Sequence, residues 1–72
     1  MKDKYVIRFR LQSSEDGHWA YGIDNYKIKV YDNKLDADIV AAGFQEYFID
    51  THVYEVVRVD EMSKKDRARY NI

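Results

Sequence analysis

The seven residues YVIRFRL, Tyr5–Leu11, constrain the fold most strongly. Tyr5, Ile7, Phe9 and Leu11 fall on one side of an extended chain, and Val6, Arg8 and Arg10 on the other, because side chains alternate along a strand. A lone strand cannot satisfy its own backbone, so it needs partners with matching apolar faces. Those partners must come from a 72-residue chain. A chain of that size buries only about 60% of its unfolded surface and has room for one small core.

After SSEDGH, a polar loop by composition, the stretch WAYGI puts Trp19, Tyr21 and Ile23 in phase. At Asp24-Asn25 the phase flips, and Tyr26, Ile28 and Val30 then alternate with Lys27, Lys29 and Tyr31. Two readings fit the flip. Asp24-Asn25 forms a two-residue hairpin turn, or one long strand carries a bulge near Gly22 to Asn25. The bulge is preferred, since WAYGI is short for an independent strand and Asn-Gly is missing. Asp32 or Asn33 then caps a helix over 34–49, and Asp36 suits its electropositive first turn. At about 100° per residue this helix carries two apolar stripes. Ala37, Val40, Ala41, Phe44, Tyr47 and Phe48 form a wide one; Leu35, Ile39, Ala42 and Ile49 form a narrower one on nearly the opposite side.

THVYEVVRVD is a Val-rich last strand of ambiguous phase. Val53, Glu55, Val57 and Val59 share one face, and His52, Tyr54, Val56 and Arg58 the other. SKKD, from Ser63, resembles a capping box opening a short helix. The predicted fold is α+β in the order β-β-α-β: a small antiparallel sheet, made of a β-hairpin and a further strand, packed on one main helix. Residues 1–61 are expected to form a single compact domain, with 62–72 a basic tail or short C-terminal helix. The wide helix stripe is expected to cover Ile7, Phe9, Ile28, Val30, Val57 and Val59.

With those residues inward, Arg8, Arg10, Lys27 and Lys29 point outward, and Tyr31 joins them. Tyr54 and Arg58 follow if the odd-numbered valines are the buried ones. Four charges of one sign on two strands suggest a partner-binding face, since a merely solvated face usually mixes signs. Such a face suits an acidic protein surface, or single-stranded nucleic acid through phosphate attraction and base stacking. The second helix stripe, Leu35, Ile39, Ala42 and Ile49, suggests a homodimer interface; alternatively the C-terminal segment folds over it, with Tyr70 and Ile72 as lids.

Other classes are disfavoured. There is no Cys, so disulfides, thiolate metal sites and thiol nucleophiles are out, and a reducing compartment is suggested. His18 and His52 are too few and too far apart for a zinc site. Net charge is −1 overall. It divides into eight basic against twelve acidic residues over 1–61, and four against one over 62–72. A global cationic field of the kind used by non-specific DNA binders is missing. No apolar run approaches the ~20 residues of a membrane span, and MKDKYVIRFR is charged too early for a signal peptide. The sequence thus predicts a cytoplasmic, stand-alone, non-enzymatic binding protein without metal or cofactor, a regulator or inhibitor of another protein. A small RNA- or single-strand-binding protein and a structural subunit of a larger assembly are the alternatives.

Overall fold

Backbone hydrogen bonds place Tyr5–Leu11 (β1) at the centre of a three-stranded antiparallel sheet, between Ala20–Tyr21 (β2) and His52–Arg58 (β5). The coordinates are a computed structural model describing residues 3–14 and 17–72. Glu15 and Asp16 of the expected polar loop, and the first two residues of the charged N-terminus, lie outside the described residues.

The segment after β2 is not one bulged strand. Ile23–Asp24 (β3) and Lys27–Ile28 (β4) form a separate two-stranded hairpin, pairing Ile23 with Ile28 and Asp24 with Lys27. The turn is Asn25-Tyr26, one residue later than the alternative reading placed it, with φ of 51° and 64°. Two positive φ values are the signature of a type I′ turn, whose twist matches that of its flanking strands. Gly22 is the pivot: its N–H donates to the Ile7 carbonyl at 2.9 Å, and its carbonyl accepts from Lys29 N–H at 2.8 Å. The hairpin therefore projects from the β1 edge, and the chain rejoins that edge where Tyr31 and Tyr5 exchange two hydrogen bonds.

Tyr26 is fully exposed at this turn. A left-handed conformation costs a non-glycine residue roughly 1–2 kcal/mol, part of which glycine gives back through its more mobile unfolded chain. Tyr26→Gly is therefore expected to raise stability by about 0.5–1 kcal/mol, read as a higher urea midpoint at unchanged slope. A lower midpoint would mean that the ring holds the hairpin in place.

Register decides which residues share a face. Residues opposite one another lie on the same side of a sheet. Val6 faces Val57, Arg8 faces Glu55 and Phe9 faces Tyr54, while Arg8 also faces Tyr21. So Ile7 and Phe9 share a side with Tyr54 and Val56, and Val6 shares the other with Tyr21 and Val57. This corrects the expected core. Ile28, Val30, Val57 and Val59 do not lie with Ile7 and Phe9; they pack with Val6, Tyr21 and Met62 on the opposite side.

The helix Lys34–Tyr47 (α1) covers the Phe9 side. Asn33 caps it, its side chain accepting from Leu35 N–H at 2.8 Å, and Asp36 sits in the first turn. The helix stops two residues before Ile49, where Phe48 N–H still bonds the Phe44 carbonyl. Ala37 and Ala41 are its buried residues, and their small side chains allow close approach to the sheet. Tyr47, expected in the wide stripe, is exposed.

The second helix, Lys64–Tyr70 (α2), begins as the capping pattern predicts, with Ser63 Oγ accepting from Asp66 N–H at 3.1 Å. It closes at Asn71 in the left-handed region. Tyr70 packs edge-on against Tyr21 at 5.1 Å, and the Tyr21 hydroxyl donates to Asp66 at 3.1 Å. Burial, and then the Asp66 carboxylate, hold the Tyr21 phenol above its usual pKa. The C-terminal segment thus covers the second face of the sheet. Tyr70 is no lid over the narrow helix stripe, and Leu35, Ile39 and Ile49 stay exposed. Among the described residues, no helix is long and apolar enough to cross a membrane.

Candidate functional site

The helix α1 lies chiefly over β5, so the α1-facing side of β1 is left half open. Ile7, Phe9 and Tyr54 floor a groove of about 410 Å³ between the helix and the β3–β4 hairpin. Val40 and Phe44 form its helical wall; Ile23, Asp24, Lys29 and Tyr31 form the opposite one. The floor is a row of stacked rings. Tyr54 lies between Phe9, at 5.3 Å and 30°, and Phe44, at 5.5 Å and 19°. Such contacts add about 0.5–1.5 kcal/mol beyond area burial and give the floor a definite shape.

The rim is apolar and exposed. Ile23 is 56% accessible and Phe44 46%. Past Phe44 the surface runs into a shallow dish on the helix, lined by Ile39, Gly43 and Tyr47. Ile39 is 62% and Tyr47 82% accessible. Polar groups gather on the hairpin wall. The Lys29 ammonium lies 3.9 Å from the Asp24 carboxylate and 5.6 Å from the centre of the Tyr31 ring. Burial raises the Tyr54 phenol, and burial followed by Asp24 raises that of Tyr31. Both therefore stay protonated at neutral pH. In chemical terms the groove offers aromatic and aliphatic contact with one cation, one anion and neutral phenols at its borders.

The seven residues expected on one cationic face are distributed over four places. Arg8 and Arg10 share the sheet side away from α1, both against the Trp19 ring: the two guanidinium groups lie 4.2 and 5.2 Å from the indole centre. Arg8 Nη2 also donates to Glu55 at 3.1 Å, so this side mixes signs. Lys27 is at the hairpin tip, lining a depression with Arg69 and Tyr70. Lys29, Tyr31 and Tyr54 meet in the groove. Arg58 closes β5 within an ionic cluster, at 3.1 Å from Asp60, 3.2 Å from Glu61 and 3.8 Å from Asp3. The physical reason is the register: odd residues of β5 oppose even residues of β1, which puts Tyr54 under the helix and Glu55 beside Arg8.

Of the expected dimer residues, Leu35 and Ala42 fall, by their helical angles, on the outer flank of α1 on the side of Gln45, whose side chain reaches β5; Ile49 lies beyond the end of the helix. Ile39 belongs to the groove side. No family model matches the chain, and no curated protein or solved structure matches it; the site is read from its chemistry alone.

Sequence reasoning did not single out Ile23, Trp19 or Gln45. Ile23 carried a signal, as an apolar residue just before a turn. Gln45 carried none. Its side chain reaches β5, accepting from Tyr54 N–H at 2.9 Å and donating to the His52 carbonyl at 2.8 Å.

Proposed function

We propose that this chain is a small non-enzymatic regulator or inhibitor that works by holding an apolar segment of another protein in the groove between α1 and the β3–β4 hairpin. It acts in the cytoplasm, as a homodimer. The observation that supports this most directly is the exposed apolar rim. Among the described residues the buried apolar core comprises only Val6, Ile7, Tyr21, Ile28, Ala37, Ala41 and Met62. A fold with so little core gains by covering Ile23, Ile39, Phe44 and Tyr47, and contiguous exposed apolar surface marks interaction sites. The arrangement also resembles a protein interface, with aromatic and aliphatic residues at the centre and Lys29 and Asp24 at the border. An amphipathic helix laying its apolar face in the groove fits that shape. Arg8 and Arg10, engaged with Trp19 and Glu55, are assigned to bracing the sheet, which moves the contact surface away from the face the sequence suggested.

The test uses a photo-crosslinking residue at Tyr47 to fix a partner in cells, followed by affinity measurement with that partner. Tyr47→Ala and Ile23→Ala, both at exposed positions, are expected to weaken binding about tenfold or more each, as interface anchors do. Lys65→Ala, at an exposed position on α2, should leave it unchanged. Salt-sensitive oligonucleotide binding abolished by Arg10→Glu, with the protein affinity indifferent to Tyr47→Ala, would show the nucleic-acid reading to be the right one.

A further inference from the structure

The strand β5 is the last in its sheet, and its outer edge is closed at one end only. Tyr5 and Ile7 direct their backbone groups to Tyr31 and Gly22, so the alternate residues of β1 face β5. Val53, Glu55 and Val57 therefore bond inward, while the backbone groups of His52, Tyr54, Val56 and Arg58 point away from the sheet. Gln45 takes the His52 carbonyl and the Tyr54 N–H. Among the described residues no hydrogen bond reaches the Tyr54 carbonyl, the N–H or carbonyl of Val56, or the Arg58 N–H.

We infer that this edge pairs with the same edge of a second copy, β5 against β5, antiparallel and centred on Val56. This deepens the self-association proposed above and is independent of the groove. The free groups complement themselves under a twofold axis. Val56 exchanges both of its hydrogen bonds with its counterpart, and each Arg58 N–H meets the other copy's Tyr54 carbonyl, a ladder of about four bonds. The Gln45 amide acts as a register stop, because Tyr54 N–H and the His52 carbonyl are already used.

The flank of α1 argues for a second copy rather than a foreign strand. A lone peptide added to the edge would leave Leu35 and Ala42, which rise beside it, uncovered. A second copy brings its own helix to the same side of a continuous sheet. With rises of ~1.5 Å per residue in the helix and ~3.3 Å in the strand, Asp38 lies roughly level with Val56. The helices then run antiparallel across the axis, with Leu35 of one near Ala42 of the other. Lys34 and Asp38, paired at 2.9 Å within each helix, present no net charge there.

The test combines molecular mass by sedimentation with amide hydrogen exchange on the full chain, from ~10 μM to ~1 mM, where dimer formation should slow exchange at least ~10-fold at the paired amides. Val56 and Arg58 N–H should gain protection together with a two-chain mass. Glu55 and Val57, bonded inward, and Tyr54, held by Gln45, serve as internal controls protected throughout. Val56→Pro removes only an outward N–H, which an edge strand tolerates. It should give a one-chain mass, as should Leu35→Glu. If Val56→Pro does not fold, exchange in the unaltered chain still decides. A two-chain mass with Val56 exchanging freely overturns the edge assignment while leaving self-association standing. A one-chain mass at ~1 mM, far above typical dimer dissociation constants, overturns both. Protection of Val56 only on adding a foreign extended peptide assigns the edge to another protein and overturns the second copy.

Discussion

Ile28→Ala is expected to cost about 2–4 kcal/mol, a large part of the roughly 4–11 kcal/mol available to a chain of this length. The size of the effect follows from where the hairpin delivers Ile28. Its side chain is 7% accessible and packs with Val6, Tyr21 and Met62 on the side of the sheet away from α1. Removing it opens a cavity between β1 and the turn that leads into α2, and neither wall can close it. Val6 is fixed in the central strand and Met62 by the backbone bond from its N–H to Val59. Ile39→Ala, at an exposed position, should change stability by less than about 0.5 kcal/mol, which sets the scale for an uncovered apolar residue. A double-mutant cycle then tests the face assignment itself. Ile28 and Met62 should couple by about 0.5–3 kcal/mol, whereas Ile28 and Phe44, on opposite sides of the sheet, should be additive within about 0.5 kcal/mol. Strong coupling to Phe44 with none to Met62 would restore the one-sided core suggested by the sequence.

That one-sided expectation shows which information local pattern carries. The central strand, the start of α1 and the capping of α2 were legible because each depends on residues within one or two turns: strict alternation in YVIRFRL, Asn33 before the helix, Ser63 three residues ahead of Asp66. The strand β5 was legible as a strand, but which of its residues face which side was not, because the sheet is covered on both sides. Val57 faces the Met62 cluster while Tyr54 faces the helix, so both parities are apolar and period two loses its meaning. The turn at Asn25-Tyr26 escaped because tyrosine is a poor I′ residue; only the pairing of Ile23 with Ile28 reveals it. Lys29, Tyr31 and Tyr54 were expected on the outer face of the sheet, and the structure places them together in the groove. The groove exists because α1 sits off-centre on the sheet, and no short stretch of sequence encodes a lateral offset. Arg8 and Arg10 do share a side, as alternation requires, yet Trp19 and Glu55 give that side a different chemistry.

Gln45→Ala is expected to cost about 1–3 kcal/mol, because it strips two partners at once from a half-buried strand edge. The amide imitates a neighbouring strand: its oxygen receives Tyr54 N–H and its nitrogen supplies the His52 carbonyl. With it gone, both backbone groups need water in a place where Phe48 and His52 rings pack at 5.3 Å. Gln45→Glu separates the two bonds. At pH 7 the carboxylate still accepts from Tyr54 N–H but turns an unprotonated oxygen toward the His52 carbonyl, so it should lose a similar amount. A protonated carboxyl can donate to that carbonyl again. The folded state therefore favours the protonated form and lifts the carboxyl above its ordinary pKa of about 4.3. Relative to the unaltered chain, the variant should regain stability as pH falls through that raised value, the gain being complete below about 4.3. Urea midpoints of both chains at pH 4 and pH 7 provide the comparison. A constant difference between them would mean that the donated bond contributes nothing and that Gln45 acts through packing. Gln45→Ala also lengthens the open edge of β5 from Val56 back to His52. Because exposed strand edges recruit other strands, the Ala variant should aggregate at concentrations where the unaltered chain stays clear. The register stop and the stability term are then one side chain, and their loss should appear together.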